Sequence, residues 1–488
     1  MPKRYLPRFT ATAALLTSYL LAAAALAATA DNPEPGKQGE TMAGEARKLD
    51  RPYSRGVNVV GNNPLDGRTG NLDMTWSGHC AYVASGAGFS PMGALEFLPH
   101  SETSGTAVID VSDPAAPRLV RYLRDKGAID ATETLHAVAL KGRAILATST
   151  YGGVAGMNSP KEGWLSVHDV SDCANPRLLA EVQWPEPVHT LAVSPDARLV
   201  YGTNLNPFTG AGGISVMDIS NPAQPRFLGK FRATGTDGKS FAFAPHALTF
   251  SRDGRRIYVG VNSSHGHDLD PDVLKGQPGA MNFGAVGRDA GGVYIFDNSD
   301  FVRRKADPKL RLIGTAPHAG WHSPVPARIS GKPYLVSAGE LGACPGAWPR
   351  ITSIINERKP ERTGEFRLAM NRPENCPEPN GMEKGSGGLV GRAGTASSHF
   401  QEVDNSANTR LGMFGFLFAG MRIADLRDPS APAEIAYFKP GDPCASRARY
   451  VPRTGHIWFA CNTSGFWVIE LKPELRRTLR LPPIRRGR

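Results

Sequence analysis

A chain of 488 residues, 41% hydrophobic and 21% charged, has ample material for a packed interior, which excludes a wholly disordered protein. The formal charge of +11 sits at the ends: Lys3, Arg4 and Arg8 at the start, and one Lys and six Arg against Glu474 in residues 472–488. The body between is nearly neutral, so a basic surface for nucleic acid is not expected.

Residues 1–30 combine a basic start, the apolar run TAALLTSYLLAAAALAA and the small-residue exit Ala28-Thr29-Ala30. They read as a secretory signal peptide, and a retained anchor is the less favoured alternative because the run is short for a bilayer. No later segment is long and apolar enough to span a membrane, so the mature chain is expected in the periplasm or outside the cell. Residues 31–54 read as a flexible lead-in. Residues 55–61 (RGVNVVG) read as a strand with no hairpin of its own.

Repeats follow. Val108-Ile-Asp110-Val-Ser-Asp113-Pro recurs as Val167-His-Asp169-Val-Ser-Asp172-Cys and as Val216-Met-Asp218-Ile-Ser-Asn221-Pro, each followed within a few residues by Pro-Arg and a new apolar run. Weaker copies begin at Ile295, Ile423 and Val468, and residues 348–370 supply two more strand-like runs, making seven units. Asp, Ser and Pro after an apolar run bond the local backbone and preset φ, which makes a tight turn between two strands. A hairpin precedes each copy, as in residues 137–147, 191–201 and 248–259. Four antiparallel strands per unit predict an all-β, seven-bladed β-propeller over residues 55–471. The last unit lacks a good fourth strand, and residues 55–61 are expected to supply it. Residues 472–488 are left as a basic tail.

The repeat resembles the LVIVD-repeat family of exported bacterial propellers, most clearly at Asp110, Asp169, Asp218 and Asp425. That resemblance implies the fold and is nearly silent on activity.

Alignment of the units on their first hairpin turns places His136, His189, His246, His322 and His399 at or near the start of the first strand, with Asp73 and Arg449 in the remaining two units. First strands line the axial channel, so these side chains are candidate ligands for a transition metal such as Cu, Fe or Zn. The arrangement is similar in architecture to carotenoid-cleaving oxygenases and to selenium-binding, methanethiol-oxidising propellers, with no extended shared motif. The commoner role of such a histidine is structural, and both roles remain open. Long insertions (residues 85–105, 149–163, 262–291, 339–347 and 371–397) fall on the same face, and Glu340 is a candidate catalytic base or ligand there. The segment His265-Gly-His267-Asp268 is a weaker metal candidate.

Six cysteines fit an oxidising compartment. Their faces favour Cys80 with Cys173, Cys344 with Cys376, and Cys444 with Cys461. No phosphate loop, dinucleotide fingerprint or nucleophile elbow is present, so no nucleotide cofactor is expected. Two functions fit: a metal-dependent oxidoreductase or hydrolase acting on a small-molecule substrate, or a non-catalytic scaffold for an envelope protein or glycan. A monomer is expected in either case.

Overall fold

The computed structural model describes residues 30–34, 51–89, 95–153, 160–205, 212–241, 243–261, 292–316, 322–339, 348–369 and 398–481. The expected signal peptide, Glu340, His265, His267 and the pair Cys344 and Cys376 lie outside the described residues.

The sequence copies become strand, turn and strand for identifiable reasons. Asp110 Oδ1 accepts the Ser112 N–H at 2.9 Å, while its other oxygen pairs with Arg118 at 3.0 Å, so one carboxylate closes the turn and ties the next strand to it. Asp169 does the same with Ser171 and Arg177, and Asp218 with Ser220 and Arg226. These are the third and fourth strands of successive blades.

Seven blades result, each built on four antiparallel strands, beside a separate two-stranded sheet of Ala87–Phe89 and Leu95–Phe97. Their first strands are Met74–Ser77, Leu135–Leu140, Leu191–Val193, Pro245–Phe250, His322–Ile329, Ser398–Val403 and Arg449–Tyr450, numbered here as blades 1 to 7. From blade 1 to blade 6 these strands pack against one another in succession about the axis. The chain is a seven-bladed β-propeller. Its apolar core lies between blades rather than at one centre. Met413, Ile423, Ile457 and Ile469 fill the gap between blades 6 and 7, and Tyr201, Val216, Ile257 and Phe296 that between blades 3 and 4.

Blade 7 contributes only three strands from the C-terminal end of the chain. Its fourth is Val57–Asn63, antiparallel to Gly465–Leu471 with Val57 opposite Leu471. Just before it, Tyr53–Arg55 adds a fifth strand to blade 6. Part of the lead-in is docked as well: Asn32 bridges to Ser54, and Glu34 forms a fully buried ion pair with Arg422 at 2.5 Å. Among the described residues two disulfides are present, Cys80–Cys173 between blades 1 and 2 and Cys444–Cys461 beside blade 7. Among the described residues no helix is long and apolar enough to cross a membrane.

Candidate metal centre

Four of the five expected histidines come together. The rings of His189 and His246 lie 4.3 Å apart, those of His246 and His322 4.4 Å, and those of His322 and His399 4.4 Å, a continuous arc over blades 3 to 6. All four are buried. Nε2 of His189 stands 2.9 Å from Nε2 of His246.

Their ring tautomers are partly fixed by the backbone. His189 Nδ1 lies 2.8 Å from the Gly152 carbonyl oxygen, and His399 Nδ1 lies 3.2 Å from that of Ala445. A carbonyl oxygen can only accept, so both Nδ1 atoms carry the proton. Nε2 is then the ring atom turned inward, toward His246 in one case and Glu133 in the other. This is the outer hydrogen bond that orients metal-binding histidines.

Blade 2 contributes a carboxylate to the group. Glu133 is buried, and its Oε1 is 3.2 Å from His399 Nε2 across the axis. Donor atoms of Glu133, His322 and His399 all fall within 4.8 Å of one another. With Nδ1 of His399 already protonated, two acceptors face each other across 3.2 Å, an arrangement that a shared proton or a metal cation stabilises.

The remaining two blades complete the circuit. Asp73 of blade 1 and Arg447, immediately before the blade 7 strand, pair at 3.1 Å. Burial pushes the Asp73 carboxyl up to about 6 against the opposing pull of Arg447, and the charge of Glu133 adds to the rise. Phe400 packs on His322 and His399 at 4.7 and 4.6 Å, with the Arg447 guanidinium 4.6 Å over its ring. Tyr151 covers His189 at 5.1 Å.

His136 stands apart from this arc. Its Nδ1 accepts the Val193 N–H at 3.0 Å and so joins blades 2 and 3. Glu133, three residues earlier, is the blade 2 member of the circuit, and Arg447 rather than Arg449 is that of blade 7. Both misses have the same form: His136 and Arg449 lie within regularly paired first strands, whereas Glu133 and Arg447 lie just before those strands begin. The Thr-Leu following both Glu133 and His189 is the sequence signal that aligns these two.

Burial, followed by the charge of Arg447, lowers the His136 imidazole from 6.5 to about 3. Because its folded value lies below its unfolded one, the unfolded chain takes up a proton first, and stability is lost as pH falls from about 6.5 toward 3. His136→Asn retains an acceptor for Val193 N–H and removes the titration. Over that window it is expected to flatten the acid-side fall in stability by on the order of 2 kcal/mol, read from urea melts at pH 7.5 and 4.5.

One other group, His79 with Cys80 and Cys173, has ligand spacing. Both of its sulfurs are consumed in the disulfide, so no thiolate is available.

The fold and this centre define an axially lined β-propeller with a histidine-rich middle. The chain carries LVIVD repeats, a family of β-propeller repeats, whose model matches residues 103–123 and 209–233. No curated protein matches it. Among solved structures, a Lactobacillus plantarum protein aligns at 12% identity over 75% of this chain and 86% of that one, with a TM-score of 0.47. Kuenenia stuttgartiensis hydrazine synthase aligns at 13% over 83% and 96%, with a TM-score of 0.46. The mitotic checkpoint complex gives 10% over 87% and 95%, with a TM-score of 0.47.

Proposed function

We propose that this is an exported metalloprotein, an oxidoreductase-like propeller that holds one transition-metal ion with His189, His246, His322, His399 and Glu133 and acts on a small molecule at the channel mouth. The observation that carries the reading is the group of donor atoms from Glu133, His322 and His399 within 4.8 Å of one another, with the His399 ring held by the Ala445 carbonyl. The spacing fits: metal–nitrogen bonds of about 2.1 Å put adjacent ligands about 3 Å apart, close to the 2.9 Å between His189 and His246. Four imidazoles and one carboxylate suit Cu, Fe or Zn rather than Ca or Mg.

A bound Cu or Fe would supply one-electron chemistry, and Zn a Lewis acid. The chain's own groups do the rest. Glu133 offsets the cation's charge, Phe400 and Tyr151 keep bulk water from the rings, and Asp73, with a carboxyl near 6, can hold or release a proton beside Arg447. The two disulfides and the signal-like residues 1–30 support an oxidising, extracytoplasmic location, periplasmic or secreted.

Metal analysis of the exported, purified chain tests the proposal. About one equivalent of Cu, Fe or Zn is expected, lost in a folded His322→Ala/His399→Ala variant. Metal-free protein that takes up none of the three on reconstitution overturns it and leaves the scaffold alternative.

A further inference from the structure

Arg447 and Arg449 lie two residues apart, on the same side of the chain where it lines the axis in blade 7, so both reach toward blade 1. They meet different surroundings. Arg447 is neutralised by Asp73. Arg449 meets two indoles instead: its guanidinium carbon is 4.4 Å from the ring of Trp458, its direct partner across the hairpin, and 5.7 Å from that of Trp76 in blade 1.

Among the described residues no carboxylate pairs with Arg449. Its buried Nη1 has no hydrogen-bond acceptor, nor has the indole Nε1 of Trp458 beside it. Burial lowers the guanidinium to about 10, and no anion acts in the other direction. The group is still charged at neutral pH. Magnitudes show what is missing: aromatic sandwiching of a cation contributes about 0.5–2 kcal/mol, whereas withdrawing a charge from water costs several. Arg449 and Trp76 are partly buried and keep some exposure, so a small ligand can reach them from solvent.

We infer that Arg449, with Trp458 and Trp76, forms a binding site for a carboxylate group. One guanidinium balances one negative charge, its planar fork matches a carboxylate edge to edge, and two indole faces flank a flat ligand. A phosphate dianion would leave a charge uncompensated. The site lies about 7 Å along the strand from the Arg447–Asp73 pair, toward the short-turn face. It does not depend on metal binding at the histidine arc.

Both flanking groups are tryptophans, which provides the measurement. Tryptophan emission of the full exported chain is titrated with sodium acetate, sodium phosphate and sodium chloride at matched ionic strength, with and without chelator. Acetate is expected to give a saturable change with Kd of roughly 1–10 mM in both metal states. Arg449→Met should weaken it at least about tenfold, and Trp458→Phe, which keeps a ring but removes Nε1–H, about threefold. Should Arg449→Met fail to fold by circular dichroism, Arg449→Lys replaces it, with an expected loss of about fivefold. The inference is overturned if chloride reproduces the change, if phosphate binds more tightly than acetate, or if the folded Arg449 variant keeps wild-type affinity. Loss of the acetate response on chelation alone also overturns it, whereas protein that takes up no Cu, Fe or Zn on reconstitution yet still binds acetate fails only the metal reading.

Discussion

Deleting residues 57–63 is expected to lower the melting temperature by at least about 5 °C, or to prevent folding. The segment is the outermost strand of blade 7 and joins the N-terminal end of the ring to its C-terminal end by a backbone ladder. Its loss removes the ladder with Gly465–Leu471 and exposes Val57, which is fully buried. It also removes three side-chain bonds: Asn62 Nδ2 to the carbonyls of Ser464 and Phe466 at 3.0 and 2.9 Å, and Asn63 Nδ2 to that of Pro117 in blade 1 at 2.9 Å. Backbone bonds of about 1 kcal/mol each, plus the buried valine, total more than about 5 kcal/mol, a large part of a typical stability. The edge left on Gly465–Leu471 would also be open to pairing with another chain, so the truncated protein should aggregate more readily. A melting curve by circular dichroism, with light scattering for aggregation, checks both effects. An unchanged transition would mean that the ring is held without this strand.

The repeat units were legible because each is closed locally. Asp110, Asp169 and Asp218 bond residues only two positions away, so their chemistry is written in consecutive letters. The pairings of Cys80 with Cys173 and Cys444 with Cys461 could be read from the same strand count, since all four follow from which end of a strand each occupies. The axial centre was harder to read. It depends on residues that precede the first strands as well as on those within them, and Glu133 and Arg447 lie just ahead of the strands Leu135–Leu140 and Arg449–Tyr450. Glu133 looked like one carboxylate among many until the fold carried it across the axis to His399. Arg447 and Arg449 are indistinguishable in sequence. Only the neighbour in blade 1, Asp73 for one and Trp76 for the other, separates an ion pair from an uncompensated cation.

His399→Ala is expected to weaken metal binding by about 100-fold or more, the largest effect of any single change at the centre. His399 is the junction of the group: its ring packs on His322, its Nε2 faces Glu133, and its Nδ1 is fixed by Ala445. Removing it takes away one ligand and also the partner that fixes the position of Glu133. Glu133→Gln separates charge from shape, because the amide keeps the size and an acceptor oxygen but not the negative charge. Its effect should be smaller, about tenfold in affinity, and it should favour neutral-ligand ions such as Cu(I) over Fe or Zn. Because ligand binding to the folded state adds RT ln(1 + [L]/Kd), a 100-fold loss at saturating metal removes about 2.7 kcal/mol of stabilisation. Melting curves with and without added metal should therefore converge for His399→Ala and remain partly separated for Glu133→Gln. A wild-type curve that is insensitive to all three ions would count against the centre itself. Equal losses in the two variants would instead mean that the charge of Glu133, and not its geometry against His399, holds the ion.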